Sequence, residues 1–332
     1  MRNPINVLKS LESNACNQEY RYERLYRNLY NPEFYLLAYK NIAKSQGSMT
    51  AGSDGKTLDD MSIKRIQQII DSLKDYSYQP SPARRTYISK KNDPNKKRPL
   101  GIPSSDDKLV QEVVRMILES IYEPTFSPQS HGFRPNRSCH TALLQVKATF
   151  TGANWIIEGD IKACFDSFDH HVLIDILRRR IQDEHFIGLM WKFLKAGYME
   201  NWKYHSTYSG SPQGSGASPI LANIYLSELD GYMEDKKLAF DKGMSNRNPS
   251  REYWRAQNAF RICKKKLKLE GNTQENVREL KQAQQKMLST PCNPVCDLTF
   301  KRIQFNRYAD DSAPRRSNSR DRNCRVKLRH AV

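Results

Sequence analysis

The sequence predicts a helix-rich α+β protein with a small antiparallel sheet and a helical insertion towards its C-terminal end. Three observations carry this. Apolar residues recur at helical spacing, as in Leu109, Val110, Val113, Val114, Ile117, Leu118 and Ile121, the pattern of a helix with one buried stripe. Short β-prone runs at 83–89, 155–160 and 300–308 stand between such stretches. Residues 249–288 read as two charged helices parted by Gly271, a glycine placed as a helix stop.

In chain order, residues 19–45 place Tyr22, Leu25, Tyr26, Leu29, Tyr30 and Phe34 at helical spacing, which is core packing. A Gly/Ser-rich loop over 45–57 leads to a helix from about Ser62, with Ile63, Ile66, Ile69, Ile70 and Leu73 on one face. Residues 81–103 form a basic β-hairpin turning at Asn92–Asn95 and returning from Arg98 to Ile102. Its cations Arg84, Arg85, Lys90, Lys91, Lys96, Lys97 and Arg98 face one acid, Asp93. They make either a solvated surface or a phosphate-binding one. Ser104 is placed to cap the helix that carries the first stripe. Arg134 and Arg137 follow in a loop, where an arginine fork suits phosphate oxygens or a neighbouring carboxylate. Helices are expected from Asp169 to about Ile181, over Phe186–Ala196, and from Ile220 to Met233 after a Gly/Ser/Pro loop at 208–219. His170 and His171 are helix-start residues, since adjacent helical positions diverge.

The chain has 332 residues, enough for two domains or one large one with subdomains. Its 54 Lys and Arg against 36 Asp and Glu give a formal charge of +18, which favours a nucleic-acid partner over a membrane. No uninterrupted apolar run reaches membrane-spanning length, and Met1–Pro4 opens no signal peptide. Seven scattered cysteines suit a reduced, cytoplasmic protein. Cys292 and Cys296 form the one close pair and lack companions at zinc spacing, so they read as thiols.

Chemistry concentrates in two acidic centres. Asp310 and Asp311 end the 300–308 run, and neighbouring side chains on a strand converge only if the chain turns there. Two carboxylates brought together are costly without a cation between them; the plain alternative is a solvated Asp-Asp turn. Upstream, the apolar run Trp155–Ile157 delivers Asp160 at a strand end, followed by Asp166 and Asp169. Hard cations such as Mg²⁺ take oxygen ligands, often one or two carboxylates plus substrate phosphates. Asp160 alone could equally be a strand-ending acid or a cap.

These residues resemble a known family. Tyr308-Ala309-Asp310-Asp311 matches the YADD motif of reverse transcriptases, and Asp160–Asp166 matches their first palm motif. Arg98–Pro103, Ser130–Pro135 and Ser211–Gly214 resemble the enzymes encoded within group II introns, the maturase type. The resemblance implies a right-hand polymerase: an N-terminal extension and the start of the fingers over 1–80, fingers over 81–150, the first part of the palm over 151–233, a helical insertion over 234–299 and the palm strand with YADD over 300–311. It implies RNA-directed DNA synthesis with two Mg²⁺ ions held by the catalytic Asp160, Asp310 and Asp311. Lys90, Arg98, Phe165, Gln213 and Gly214 would bind the nucleotide, and Arg134 and Lys91 nucleic acid. The implied partners are group II intron RNA, a DNA target or primer, and dNTPs, with roles in splicing and retrohoming.

Two departures stand out. Ser215-Gly216-Ala217 replaces the second glycine and aliphatic pair that follow Gly214 in the commonest pattern, and glycine tolerates backbone that serine does not. After Asp311 the family continues with an apolar strand, whereas Ser312–Val332 carries seven basic residues and one acid. That segment is expected to be a disordered basic tail, leaving the YADD hairpin without its second strand and the thumb absent. Impaired activity from truncation follows as an expectation. The alternative is an inactive remnant that binds RNA, and a third reading is a metal-dependent nuclease.

Overall fold

The computed structural model describes residues 2–45, 47–90, 93–151, 155–161, 163–210, 214–243, 247–293, 300–312 and 315–316. The N-terminal part consists of helices α1 (Pro4–Ser13), α2 (Pro32–Ile42) and α3 (Ile63–Lys74), the strands β1 (Ala83–Lys90) and β2 (Asp93–Ile102), and then α4 (Ser105–Tyr122) and α5 (Cys139–Thr149). The middle holds β3 (Trp155–Ile156), β4 (Gly159–Asp160), α6 (Cys164–Ser167), α7 (His170–Arg178), α8 (Glu184–Lys195), β5 (Tyr198–Glu200) and β6 (Lys203–His205). The long helix α9 (Ser218–Phe240) precedes the pair α10 (Arg251–Glu270) and α11 (Gln274–Ser289). Four short strands close the described chain: β7 (Ile303–Gln304), β8 (Arg307–Tyr308), β9 (Asp311–Ser312) and β10 (Arg315–Arg316).

The main core is helical. The predicted stripes of α3 and α4 are buried against α7, α8, the start of α9 and the Tyr22–Ala38 segment, except for Ile63, which stays exposed at the start of α3. The caps explain where these helices begin: Ser104 accepts from Asp107 N at 3.1 Å, Ser62 from Arg65 N and Asp169 from His171 N at 2.7 Å, each satisfying an orphan donor of the first turn. The N-terminal stripe is not one helix. A 3₁₀ turn at Tyr26–Tyr30 stops at Asn31, whose side chain caps α2 through Glu33 N, because Pro32 cannot continue a preceding helix but suits the first turn of a new one.

The sheets are mixed rather than purely antiparallel. One runs β2-β1-β5-β6, with β1 parallel to β5. The return strand of the basic hairpin starts at Asp93, opposite Lys90, so Asn95 lies in a strand and not in the turn. The other two sheets are antiparallel and three-stranded: β3-β10-β7 and β4-β9-β8. They correct the expectation of an unpaired tail after Asp311. Ser312 pairs with both Gly159 and Arg307, and Arg315–Arg316 lies between β3 and β7. Backbone hydrogen bonds are indifferent to side-chain polarity, so a basic segment completes a ladder when strands wait on both sides. Residues 317–332 lie outside the described ones.

Ser250 and Thr273 cap α10 and α11, and Gly271 at φ +87° ends the first helix. Lys264 and Lys265 are exposed, while Lys266 pairs with Glu279 across the two helices at 3.1 Å. No helix among the described residues is long and apolar enough to cross a membrane.

Candidate active site

The β4-β9-β8 sheet gathers the predicted acids. Asp160 is the cross-strand partner of Asp311, and Asp311 in turn pairs with Tyr308. Residues directly opposite share a sheet face with Cβ atoms about 4.5–5.5 Å apart. Ala309 and Asp310 form the two-residue turn between β8 and β9, and Ile161 N donates to Asp310 O at 3.3 Å. The turn runs through Ala309 at φ +55°, a left-handed conformation that costs an ordinary L residue about 1–2 kcal/mol.

Burial first, then the charges of Asp310 and Asp160, raises the Asp311 carboxyl above its ordinary value. Beneath them burial, with Asp310 adding, pushes the Cys164 thiol up to about 11, so it stays protonated at neutral pH. Among the described residues no three His, Cys, Asp or Glu side chains form a ready metal-ligand group. The backbone thus brings the three aspartates to one place, while their carboxylates do not yet close around a point.

The turn is held from behind. Gly132 packs on it so closely that a Cβ there would collide with Ala309 N and lie 2.7 Å from its Cα. His131 N donates to Arg307 O, and Arg307 N to Gln129 O, both at 2.9 Å. The Arg307 side chain is fully buried and forks onto Asp230 of α9 at 2.8 and 2.7 Å. Asn306 donates to Gln145 Oε1 of α5 at 2.8 Å.

The remaining predicted residues divide. Phe165 is half-buried and meets Phe133 edge to face, with centroids 5.7 Å apart. Gly214, at φ +109°, approaches β2 so closely that a Cβ would sit 2.5 Å from Gly101 O. The 214 loop therefore meets the basic hairpin, on which Arg98 is exposed opposite Ile88. Lys91 and Gln213 lie outside the described residues, as does the side chain of Lys90.

Arg134 is a correction. Its side chain is 5% exposed, binds Glu123 through Nε at 2.9 Å, and donates through Nη1 to Ser127 O and Ser130 O at 2.7 and 2.8 Å. The loop consumes this guanidinium, so it ties the chain to a carboxylate instead of reaching nucleic acid. Ser215 costs less than its sequence suggests. It stays out of the left-handed region, and its hydroxyl donates to Gln111 Oε1 at 2.9 Å. His170 is buried with Nε2 2.6 Å from Gly210 O, as a helix-start residue would be.

Residues 88–246 match the family model of reverse transcriptases, described as RNA-dependent DNA polymerases. The group II intron-encoded protein LtrA of Lactococcus lactis subsp. cremoris is 48% identical over 94% of this chain and 52% of that protein. The chain is thus similar to group II intron-encoded reverse transcriptases and maturases. An uncharacterized 91 kDa protein in the cob intron of Schizosaccharomyces pombe is 42% identical over 93% of this chain and 38% of its own length. A putative COX1/OXI3 intron 2 protein of Saccharomyces cerevisiae is 39% identical over 91% and 34%. The chain spans about half the length, or less, of these curated relatives.

Sequence reasoning passed over Arg307, Asp230, Asn223 and Phe133. A signal existed for two of them. Asn223 and Asp230 are seven residues apart, on one face of α9, within the apolar stretch Ile220–Met233, and polar residues on a buried face need partners. Arg307, inside a strand run, gave no comparable signal.

Proposed function

We propose that this chain carries the fingers and palm of an RNA-directed DNA polymerase, with Asp160, Asp310 and Asp311 as the acids of nucleotidyl transfer. The observation that carries the reading is the cross-strand pairing of Asp160 with Asp311, with Asp310 in the intervening turn. The donor set fits Mg²⁺ in chemistry: all ligands are hard carboxylate oxygens, and the burial and then the neighbouring charges that raise Asp311 are what a cation offsets. Bound there, a pair of magnesium ions would supply Lewis acidity for a primer 3′ hydroxyl and neutralise the pyrophosphate leaving group.

The chain's own residues do the rest. Asp160 and Asp311 present acceptors from opposite strands, and Asp310 presents one from the turn. Phe165, braced by Phe133, offers an apolar wall to the sugar of a dNTP. Arg98, with Lys90 and Lys91, supplies cations for the triphosphate from the hairpin that meets Gly214. Gln213 and Gly214 border the base. Intron RNA as template and ligand, with target or primer DNA, follows from the relatives and from the charge of +18.

Primer extension on an RNA template with purified full chain, dNTPs and Mg²⁺ tests this. Incorporation is expected to fall by about a thousandfold or more in Asp310→Asn and Asp311→Asn, several kcal/mol of transition-state stabilisation, with RNA binding retained. No incorporation by the unsubstituted chain supports the RNA-binding remnant instead. Cleavage without added nucleotides supports a nuclease.

A further inference from the structure

We propose that Arg307 is a positioning residue for the acidic turn: its guanidinium fixes the Ala309–Asp310 peptide against α9 and thereby sets where Asp310 and Asp311 stand relative to Asp160. The inference rests on reading these acids as a cation site.

Every guanidinium donor of Arg307 has a partner. Nε and Nη2 fork onto the two Asp230 oxygens at 2.8 and 2.7 Å, and Nη2 also donates to Ser130 Oγ at 2.7 Å. Nη1 donates to Ala309 O at 2.8 Å and to Asn223 Oδ1 at 3.4 Å. The Ala309 carbonyl belongs to the peptide joining Ala309 to Asp310, so its direction sets the plane from which the Asp310 side chain departs. Asn223 Nδ2 donates in turn to Gly132 O at 2.9 Å, and Gly132 is the residue pressed against Ala309. A closed circuit runs Arg307–Asn223–Gly132–Ala309 and back.

Stability alone does not account for this circuit. The Arg307 and Asp230 side chains are 0% and 2% exposed, and replacing a buried ion pair by well-packed apolar side chains of similar volume is often neutral or stabilising. What apolar residues lack is direction. Ala309 sits at φ +55°, a conformation that persists only where its surroundings over-determine it, and Arg307 and Gly132 supply that from two sides. A lysine at 307 would bring one point charge and no planar fork.

The test uses Tb³⁺ as a probe of the full chain, excited through tyrosine because Tyr308 adjoins the turn, with Mg²⁺ competition and thermal unfolding alongside. Arg307→Met/Asp230→Leu removes the circuit without leaving a lone buried charge. It is expected to unfold close to the unsubstituted temperature yet bind Tb³⁺ about 10–100-fold more weakly, as loss of an outer-shell partner does. Arg307→Lys is expected to weaken binding in the same direction. A folded double variant with unchanged Tb³⁺ affinity overturns the inference and leaves the acids' reading standing. Equal Tb³⁺ binding by the unsubstituted chain and by Asp311→Asn sinks that reading, and the inference with it. Should the double variant not fold, Asn223→Leu, which keeps the ion pair and cuts the link to Gly132, replaces it. A several-fold loss is then expected, and unchanged affinity is overturning.

Discussion

Two β-hairpins of this chain are stabilised in opposite ways. The basic hairpin β1–β2 pairs from Arg84↔Ile102 down to Lys90↔Asp93 and gains another neighbour in β5. Its ladder supplies its own shape, and the Arg84, Lys97 and Arg98 side chains are exposed while Arg85 is half-buried. The acidic hairpin β8–β9 has two residue pairs, too few for independent stability. It borrows its geometry from Ser130–Gly132, α5 and α9 through buried side chains. A long ladder tolerates substitution one residue at a time; a short one is as good as its supports.

The largest break in that contrast is expected from Gly132→Ala. Its Cβ would meet the backbone of Ala309, which cannot yield like a flexible side-chain tip, so a loss of about 3 kcal/mol follows along with primer extension. Gly231→Ala, inside α9 with open space around its Cβ, is the control and should stabilise by about 0.5–1 kcal/mol. Denaturant titration of both variants reads the difference.

Next in size is a pair of arginines. Arg134→Met abandons Glu123 and two backbone carbonyls inside the protein, and with Glu123 24% exposed a cost of about 2 kcal/mol is expected. Arg98→Ala, on the exposed ladder, should leave the denaturation midpoint unchanged and raise KM for dNTPs several-fold in primer extension. A stability loss at Arg98 equal to that at Arg134 would erase the distinction between the exposed hairpin and the buried loop that backs the acidic one.

A smaller effect concerns pH. Burial lowers the His170 pKa below its ordinary 6.5, so the unfolded chain binds the proton more readily than the folded one. This contribution to stability is therefore complete above 6.5 and is lost as pH falls towards the depressed folded value. Thermal melts between pH 7.5 and 5 should show it, and His170→Gln, which keeps a donor for Gly210 O, should flatten the slope. The smallest change is expected from Ser215→Gly. It removes one neutral hydrogen bond to Gln111, about 1 kcal/mol or less, and should leave dNTP KM within twofold if Ser215 is as well accommodated as its backbone implies.

Much of the molecule was legible residue by residue. The stripes of α3 and α4, the cap at Ser104, the helix starts near Ser62 and Asp169, the break at Gly271 and the two acidic centres are local patterns, and local patterns survive the absence of coordinates. Phe165 and Gly214 were singled out because motifs carry them. Arg134 was misplaced because a cation in a loop looks the same whether phosphate or Glu123 awaits it. The strand after Asp311 was missed because its apolar alternation is absent, although β4 and β8 accept its backbone all the same.

By itself the sequence determined most of the helical segments, where the acidic residues cluster and that the chain is basic, since periodicity, caps and charge are properties of neighbours along the chain. Only the tertiary structure decided that Asp160 faces Asp311 across a shared ladder, that Arg307 is buried beneath the turn while Arg98 is not, and that Gly132 must be a glycine. The physical reason is that strand pairing, desolvation and steric approach are set by groups distant in sequence, and no local pattern encodes the distance between them.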